Sequence, residues 1–210
     1  MRVLFVYPNS QRRTFTPQVG IASLSAVLKQ NGHVCDLYDL TMVPLGKEKQ
    51  LFVDKVREFK PDLIGYSIRS SEVSMVRALL EAVPKDKVIS VAGGHHVTVA
   101  PQETMEMFDI VVRGEAEEAL LEVVQRMEAG ESLRDVRNVW VRENGTIYEN
   151  ELRPLIANLD ELPYPDWQLF DRQHYTNHYL RSSSARAYNV VGTFEGSRGC
   201  VFSCTYCSNP

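Results

Sequence analysis

The chain has 210 residues, of which 44% are hydrophobic and 24% are charged, so it can build one sizeable core with an attachment. The formal net charge is -4 and basic residues form no long run, which argues against a nucleic-acid partner. The apolar run at residues 3–7 is too short for a signal peptide, and no stretch approaches the ~20 apolar residues of a membrane span. We therefore expect a cytoplasmic protein without a membrane span.

Short apolar runs alternate with helical patterns over residues 1–130. Strands are predicted at 2–7, 33–40, 62–68, 87–94 and 109–115. Helices are predicted from about 21, near 47–59, over 73–83, near 101–107 and up to about 129. This alternation predicts a parallel sheet that is covered by helices on both faces. We predict an α/β, flavodoxin-like (Rossmann-like) five-stranded sheet with the strand order 2-1-3-4-5, which places a ligand site at the carboxyl ends of the strands.

The pattern changes after Gly130. Two alternating segments flank Asn144-Gly145, which predicts a β-hairpin. The segment 158–167 contains two prolines two positions apart, which predicts an extended linker. A further strand is predicted within 188–200. The predicted divisions are a first domain over 1–130, a hairpin and linker region over 131–187, and the start of a further domain over 188–210.

Three of the four cysteines stand close together, at Cys200, Cys204 and Cys207. Spacings of three and two intervening residues let one loop surround a compact inorganic group, which favours a metal site over disulfides. A [4Fe–4S] cluster ordinarily takes four thiolates, so three thiolates leave one iron open to another ligand. A zinc site that is completed by His174 or His178 is an alternative, as are three unliganded surface cysteines.

The C-x3-C-x2-C motif, with Tyr206 directly before its last cysteine, resembles that of the radical S-adenosylmethionine superfamily. The resemblance implies that Cys200, Cys204 and Cys207 hold a [4Fe–4S] cluster whose open iron binds S-adenosylmethionine, with Tyr206 at the cofactor site. In that superfamily the reduced cluster cleaves this cofactor to a 5′-deoxyadenosyl radical, which abstracts hydrogen from the substrate. An electron donor such as flavodoxin or ferredoxin is then implied as a partner.

In the same superfamily the motif follows the first strand of a β/α barrel. The resemblance therefore implies that residues 188–210 are the first strand and loop of such a barrel, truncated in this chain. We expect these 210 residues to be inactive alone. We also expect their cysteine loop to be poorly ordered or free of metal, because the barrel that would enclose a cluster is missing.

The stretch "VAGGHHVTVAPQETMEMFDIVVRGE" resembles the cobalamin-binding (B12-binding) domain that precedes the radical domain in many such enzymes. The matching positions are Gly93, Gly94, His96, Thr98, Pro101, Asp109, Gly114 and Glu115. The resemblance implies that five of these residues belong to a cofactor site, namely Gly93, Gly94, His96, Gly114 and Glu115. Glycine lets the backbone approach a cofactor closely, whereas Glu115 also fits the ordinary role of an acid at a helix start.

Ser67 ends the third predicted strand and offers a hydroxyl to a buried ring nitrogen. In the resembled family the serine at this place contacts the dimethylbenzimidazole tail of cobalamin. The loop after the first strand departs from many cobalamin domains, because it lacks their D-x-H-x-x-G motif and contains no histidine. No imidazole from this loop can be the lower cobalt ligand. His33 is expected to be structural, and His95 and His96 to shape the loop or contact the tail.

The resemblances imply an enzyme, of which this chain is the N-terminal part, that modifies a carbon of a small-molecule substrate by methyl transfer or cyclisation. The alternative is a non-catalytic, flavodoxin-like module that binds a corrinoid or another nucleotide. Radical methylthiotransferases also place a doubly wound domain before the cysteine motif, but their domain supplies three further cysteines. This chain has only Cys35 there, which is expected to be a small core residue.

Overall fold

The computed structural model describes residues 1–14, 17–84, 88–175, 193–202, 204–205 and 207. Within these residues the centre is a seven-stranded sheet in the order β2-β1-β3-β4-β5-β6-β7. The strands are β1 (Arg2–Tyr7), β2 (Val34–Asp39), β3 (Leu63–Ser67), β4 (Ile89–Gly93), β5 (Ile110–Val112), β6 (Val139–Glu143) and β7 (Thr146–Glu149). Strands β1 to β5 are mutually parallel, which confirms the predicted flavodoxin-like order 2-1-3-4-5.

Helices cover both faces of this sheet. They are α1 (Val19–Gln30), α2 (Glu48–Phe59), α3 (Val73–Leu80), α4 (His95–Val99), α5 (Pro101–Met105) and α6 (Glu117–Ala129). Val3, Phe5 and Tyr7 of β1 belong to the core that includes α1 and α6. Leu4 and Val6 belong to the core on the opposite face, with α2 and α3. Side chains of a strand alternate between faces, so burial on both sides explains the nearly continuous apolar run of β1.

The segment after β4 differs from the single predicted helix near 101–107. It forms two short helices, of which α4 begins directly after Gly94 and α5 begins at Pro101. Proline suits the first turn of a helix, because its missing N–H would have no partner there. Among the described residues, no helix combines the length and the apolar character that crossing a membrane requires.

The predicted hairpin is present and continues the sheet. Asn144 and Gly145 have φ angles of 51° and 79°, the left-handed values that a two-residue type I′ turn needs. Strand β6 pairs antiparallel with β5, and β7 pairs antiparallel with β6. The hairpin is thus hydrogen-bonded to the strands of residues 1–130, from which the sequence pattern had separated it.

The linker lies on the outside of α1. It contains three short 3-10 turns, at Leu159–Glu161, Trp167–Leu169 and Arg172–Tyr175. The Asp166 N–H donates to the Ala22 carbonyl at 2.9 Å. The Asp166 carboxylate accepts hydrogen bonds from Ser25 Oγ at 2.7 Å and Lys29 Nζ at 2.5 Å. These bonds hold the segment against α1, and its role as a linker between domains stays a prediction.

Residues 188–192 of the segment in which a further strand was predicted lie outside the described residues. Residues 193–202 form an irregular segment that contains no strand. The assignment of 188–210 to the start of a barrel therefore stays a prediction.

Candidate functional site

A cavity of about 270 Å³ lies at the carboxyl end of the sheet, between the sheet and the helices α1 and α6. Ser67, Gly93 and Val112 reach it from the last positions of β3, β4 and β5. Its walls include the apolar side chains of Leu24 of α1 and Leu120 of α6, and charged residues close one side. The site therefore occupies the edge of the sheet at which doubly wound proteins bind their ligands.

Two glycines create this space. Gly65 of β3 pairs with Phe5 of β1 and Val91 of β4. Two positions further along the same strands, Ser67 of β3 pairs with Gly93 of β4. Both glycines stand on the α1–α6 face, where a larger residue would fill the space below the helices. A Cβ atom at position 93 would meet nothing closer than the Val112 carbonyl oxygen at 3.9 Å. Position 93 therefore has space for a side chain, and that space is part of the cavity.

Gly94 also lines the cavity, and it lets two chain segments cross closely. Its φ is 98°, and a Cβ atom would lie 2.8 Å from the Ile68 nitrogen. The Ile68 N–H donates to the Gly93 carbonyl at 2.8 Å, and the His96 N–H donates to the Ile68 carbonyl at 3.0 Å. A side chain at position 94 would break this close approach, so glycine is required by the backbone itself.

Ser67 places a hydroxyl at the cavity. Its Oγ accepts a hydrogen bond from Gln18 Nε2 at 2.6 Å. Because Oγ accepts this bond, its own O–H remains available to a ligand acceptor. Gln18 lies just before α1 and also lines the cavity, which the sequence did not indicate. The arrangement suits a ligand with an apolar ring and one ring nitrogen.

His96, by contrast, is buried outside the set of residues that line the cavity. Its Nδ1 lies 3.1 Å from Ser70 Oγ, and Nε2 has no hydrogen-bond partner among the described residues. His33 is buried at the opposite end of the sheet, with Nδ1 at 3.2 Å from the amino group of Met1. A cofactor role of His96 stays a prediction.

The turn before α6 connects three separate parts of the chain. Gly114 lines the cavity with a φ of 68°. One oxygen of Glu115 accepts from the Ile156 N–H of the linker at 2.7 Å, and the other pairs with Arg198 at 3.2 Å. The Glu115 carbonyl accepts from Asn138 Nδ2 at 2.7 Å. Both carboxylate oxygens of Glu115 thus have protein partners, and its assignment as a cofactor residue stays a prediction.

An ion cluster that the sequence did not predict closes one side of the cavity. Arg198 pairs with Glu117 at 2.6 Å and with Glu195 at 3.0 Å, in addition to Glu115. Glu117 is buried and also accepts from Ser23 Oγ of α1 at 3.0 Å. Burial acts to lower the pKa of Arg198, but the hydrogen bond and charge of Glu117 outweigh it, and the net shift of this pKa is upward. The guanidinium therefore stays charged.

The cysteine motif follows this cluster directly. Cys200, Cys204 and Cys207 are exposed, and the Cys207 N–H donates to the Cys204 carbonyl at 3.1 Å. Among the described residues, no three His, Cys, Asp or Glu side chains are grouped so as to hold a metal ion. Tyr206 lies outside the described residues. The role of the cysteines as cluster ligands thus stays a prediction.

The zinc alternative invoked two upstream histidines. His174 is fully buried, and its Nε2 lies 2.5 Å from Asp39 Oδ2. This pair ties the end of the linker to the carboxyl end of β2. His178 lies outside the described residues. His174 is therefore occupied in anchoring the linker in this structure.

A doubly wound sheet with a ligand-sized cavity at its carboxyl edge defines an α/β cofactor-binding domain. The sequence model of the B12 binding domain matches residues 9–124, which is more than half of the chain. The chain belongs to the B12 binding domain family.

Sequence relatives cover the whole chain. It is 29% identical over 223 aligned positions to an uncharacterized methyltransferase of Pyrococcus horikoshii, covering 100% of this chain and 45% of the relative. It is 26% identical to the anaerobic magnesium-protoporphyrin IX monomethyl ester cyclase of Cereibacter sphaeroides, covering 99% of this chain and 35% of the relative. The chain thus spans less than half the length of these curated relatives.

Solved structures share the fold. The radical S-adenosylmethionine methyltransferase TsrM from Kitasatospora setae superposes with a TM-score of 0.62 at 19% identity, over 71% of this chain and 30% of that protein. The cobalamin-dependent S-adenosylmethionine radical enzyme OxsB superposes with a TM-score of 0.60 at 16% identity, over 79% of this chain and 24% of that protein. At these identities the likeness concerns the fold.

Proposed function

We propose that this chain binds cobalamin and places the nucleotide tail of the cofactor in the cavity between the sheet and the helices α1 and α6. The observation that carries the proposal is the pairing of Ser67 with Gly93, which sets a free hydroxyl beside an empty side-chain position. Ser67 would donate to a ring nitrogen of the base, while the apolar walls would pack against its faces.

The size of the cavity decides which part of the cofactor it takes. At about 270 Å³ its volume is just below the ~300–1,000 Å³ that small-molecule sites span. It suits a heteroaromatic base and is too small for a whole corrinoid. The corrin ring therefore belongs outside the cavity, at the carboxyl edge of the sheet.

Among the described residues no histidine lines the cavity, and the sequence of the loop after β1 contains none. The base that would ligate cobalt in free cobalamin would be held by Ser67 instead. We therefore expect the Co(II) form of the bound cofactor to show no nitrogen coupling in its electron paramagnetic resonance spectrum. Nitrogen coupling in that spectrum would contradict this part of the proposal.

The second part of the proposal concerns the whole protein, as a radical S-adenosylmethionine enzyme with Cys200, Cys204 and Cys207 as [4Fe–4S] ligands and Tyr206 at the cofactor. The spacing of the cysteines supports the cluster, and the methyltransferase and the cyclase among the relatives support the two types of reaction. A cluster supplies the electron that cleaves S-adenosylmethionine, and a flavodoxin or ferredoxin would reduce it. The reaction would be methyl transfer to, or cyclisation at, a carbon of a small-molecule substrate.

The segment around the cysteines carries an apolar surface that fits this assignment. Phe194, Val201 and Phe202 are exposed by 89%, 93% and 72%. Three large apolar side chains this exposed, within nine positions of the sequence, are typical of a contact surface. We assign them to the contact with the barrel that residues 188–210 would begin.

The alternative is a corrinoid-binding module without catalysis. It is favoured by the exposed cysteines, which are not grouped around a metal position in the described part of the chain. The two functions share the cobalamin site and differ in the cysteine motif, so one series of measurements separates them.

The test of the cobalamin site is a titration of the chain with hydroxocobalamin and with cobinamide, which has the same ring but no nucleotide tail. We expect cobalamin to bind more tightly than cobinamide. Equal affinities, or no binding of either, would contradict the proposal.

The cysteine motif is tested by anaerobic reconstitution with iron and sulfide, on this chain and on the complete product of its gene. Iron–sulfur absorbance of the complete product that disappears in Cys204→Ala supports the radical enzyme. Cobalamin uptake without any iron–sulfur absorbance supports the binding module.

A further inference from the structure

We propose that Arg198 is a positioning residue that anchors the cysteine segment to the wall of the cavity, so that filling the cavity and holding Cys200 in place are coupled. The coupling rests on the proposed cobalamin function, whereas the anchoring rests on the contacts of Arg198 alone.

The contacts make Arg198 the link between two distant parts of the chain. Arg198 stands two positions before Cys200, and its guanidinium reaches Glu115 and Glu117, which are 83 and 81 positions away in sequence. Glu117 is the first residue of α6 and is also bonded to Ser23 of α1. Arg198 therefore ties the cysteine segment directly to α6 and, through Glu117 and Ser23, to α1, and both helices wall the cavity.

The bond geometry suits an anchor. All three guanidinium nitrogens of Arg198 are used, by Glu115, Glu117 and Glu195. Charge-assisted bonds from a planar fork to several carboxylates hold orientation as well as distance. The side chain of Glu117 is only 5% exposed, so water screens this pair poorly.

The charge balance argues against a phosphate site at the same place. Three carboxylates surround one guanidinium, which gives the four side chains a formal net charge of -2. An excess of negative charge repels the phosphodiester of a nucleotide tail. Arg198 therefore serves the protein's own carboxylates, and its role towards a ligand is indirect.

The coupling follows from the position of the anchor. Glu195 and Arg198 line the cavity together with Gly114 and Leu120. A base inside the cavity touches them only while the segment is docked, so the ligand binds the docked state better than the undocked one. A ligand shifts a conformational equilibrium by this difference in affinity. A bound tail is then expected to hold the cysteine segment against the domain.

Limited digestion with trypsin tests the proposal, because trypsin must take up the Arg198 side chain to cut the Arg198–Gly199 bond. Cleavage in such an equilibrium follows the population of the released state. The variant Glu117→Gln leaves an oxygen for Ser23 but removes the charge, and we expect cleavage at this bond to become about tenfold faster. Glu115→Gln is a second variant, which removes the charge of another carboxylate that pairs with Arg198. The side-chain partners of Glu115, Ile156 and Arg198, do not belong to α6.

The matched control is Glu151→Gln, which removes a surface carboxylate paired with Arg137 at 3.4 Å. It is expected to leave cleavage at Arg198 unchanged. Circular dichroism checks that each variant is folded. Cleavage at the wild-type rate in both Glu117→Gln and Glu115→Gln would overturn the anchoring.

The ligand arm uses cobalamin and cobinamide at saturation. We expect cobalamin to slow cleavage at Arg198 in the wild type and cobinamide to leave it unchanged, because only cobalamin has the tail. An equal effect of both overturns the coupling. If neither ligand binds, the proposed function and the coupling fail together, while the comparison of ligand-free variants still decides the anchoring.

Discussion

Ser67 and Gly93 are direct partners on neighbouring parallel strands, and the missing side chain of Gly93 leaves the Ser67 hydroxyl open to the cavity. This pair joins the two features that a buried heteroaromatic base needs, which are space and one directed donor.

Gly93→Val fills the cavity without disturbing the fold. The nearest atom to a new Cβ lies at 3.9 Å, and valine suits a strand, so the free energy of unfolding should rise by up to about 1 kcal/mol. The affinity for cobalamin should fall about tenfold or more, because the base meets the new methyl groups. Isothermal titration with cobalamin and cobinamide measures this. A wild-type affinity for cobalamin would show that the tail lies elsewhere.

Gly94→Ala destabilises the fold, in contrast to the neighbouring substitution. With φ at 98° and the new Cβ at 2.8 Å from the Ile68 nitrogen, the loss should be about 1–3 kcal/mol in urea denaturation. Gly46→Ala is the matched control, since Gly46 has a φ of 78° but nothing within 4 Å of its Cβ position. The difference between the two variants measures the close approach itself, and equal losses would contradict this account.

Ser67→Ala removes the directed donor and keeps the space. One hydrogen bond to a neutral acceptor contributes about 1 kcal/mol, so the affinity for cobalamin should fall about fivefold. Binding of cobinamide should not change. Ser70→Ala is the control, because the Ser70 hydroxyl bonds His96 outside the residues that line the cavity. An equal loss in both serine variants would argue against a specific contact with the base.

Cys35 is a buried thiol with a measurable titration. Burial raises the pKa of Cys35 from 9.0 to about 11, so its neutral form is favoured in the folded chain. The stability from this difference is present below pH 9.0 and is lost as the pH rises through about 11. Cys35→Ala should flatten the decline of stability across this window in urea denaturation. A decline as steep as that of the wild type would contradict the assignment.

The same burial predicts the chemical behaviour of the thiols. At pH 8 iodoacetamide should modify the exposed Cys200 and Cys204 first, and Cys35 only after unfolding. Mass spectrometry of the alkylated peptides reads out the order. Modification of Cys35 at the rate of the exposed cysteines would show that β2 opens locally.

Local patterns were sufficient for the elements of the fold. The alternation of apolar runs and helical faces predicted five parallel strands in the correct order, and Asn144-Gly145 predicted the hairpin turn. The strands and the turn depend on residues within a few positions of one another, because strand and turn preferences are local. The strand order followed from the rules that govern βαβ connections. The helix predicted near 101–107 was only partly correct, since a helix also follows Gly94 at once.

Contacts between distant residues could not be predicted in this way. The bond between Gln18 and Ser67 joins residues 49 positions apart, and that between His174 and Asp39 joins residues 135 positions apart. Neither pair has a sequence spacing that a helix or a hairpin would impose. The docking of the linker on α1 and of the hairpin on β5 is of the same kind, because each depends on which surface is already in place.

The sequence by itself determined the class of fold, the edge of the sheet at which the cavity lies, and the serine and glycines at that edge. It did so because parallel strands bring their carboxyl ends together whatever the details of packing. Only the tertiary structure decided that Gly93 leaves space in the cavity, and that Gly94 beside it is required by a close backbone approach. It alone also decided that Arg198 pairs the cysteine segment with Glu115 and Glu117. These distinctions depend on which atoms meet in space, and a short stretch of sequence does not contain that information.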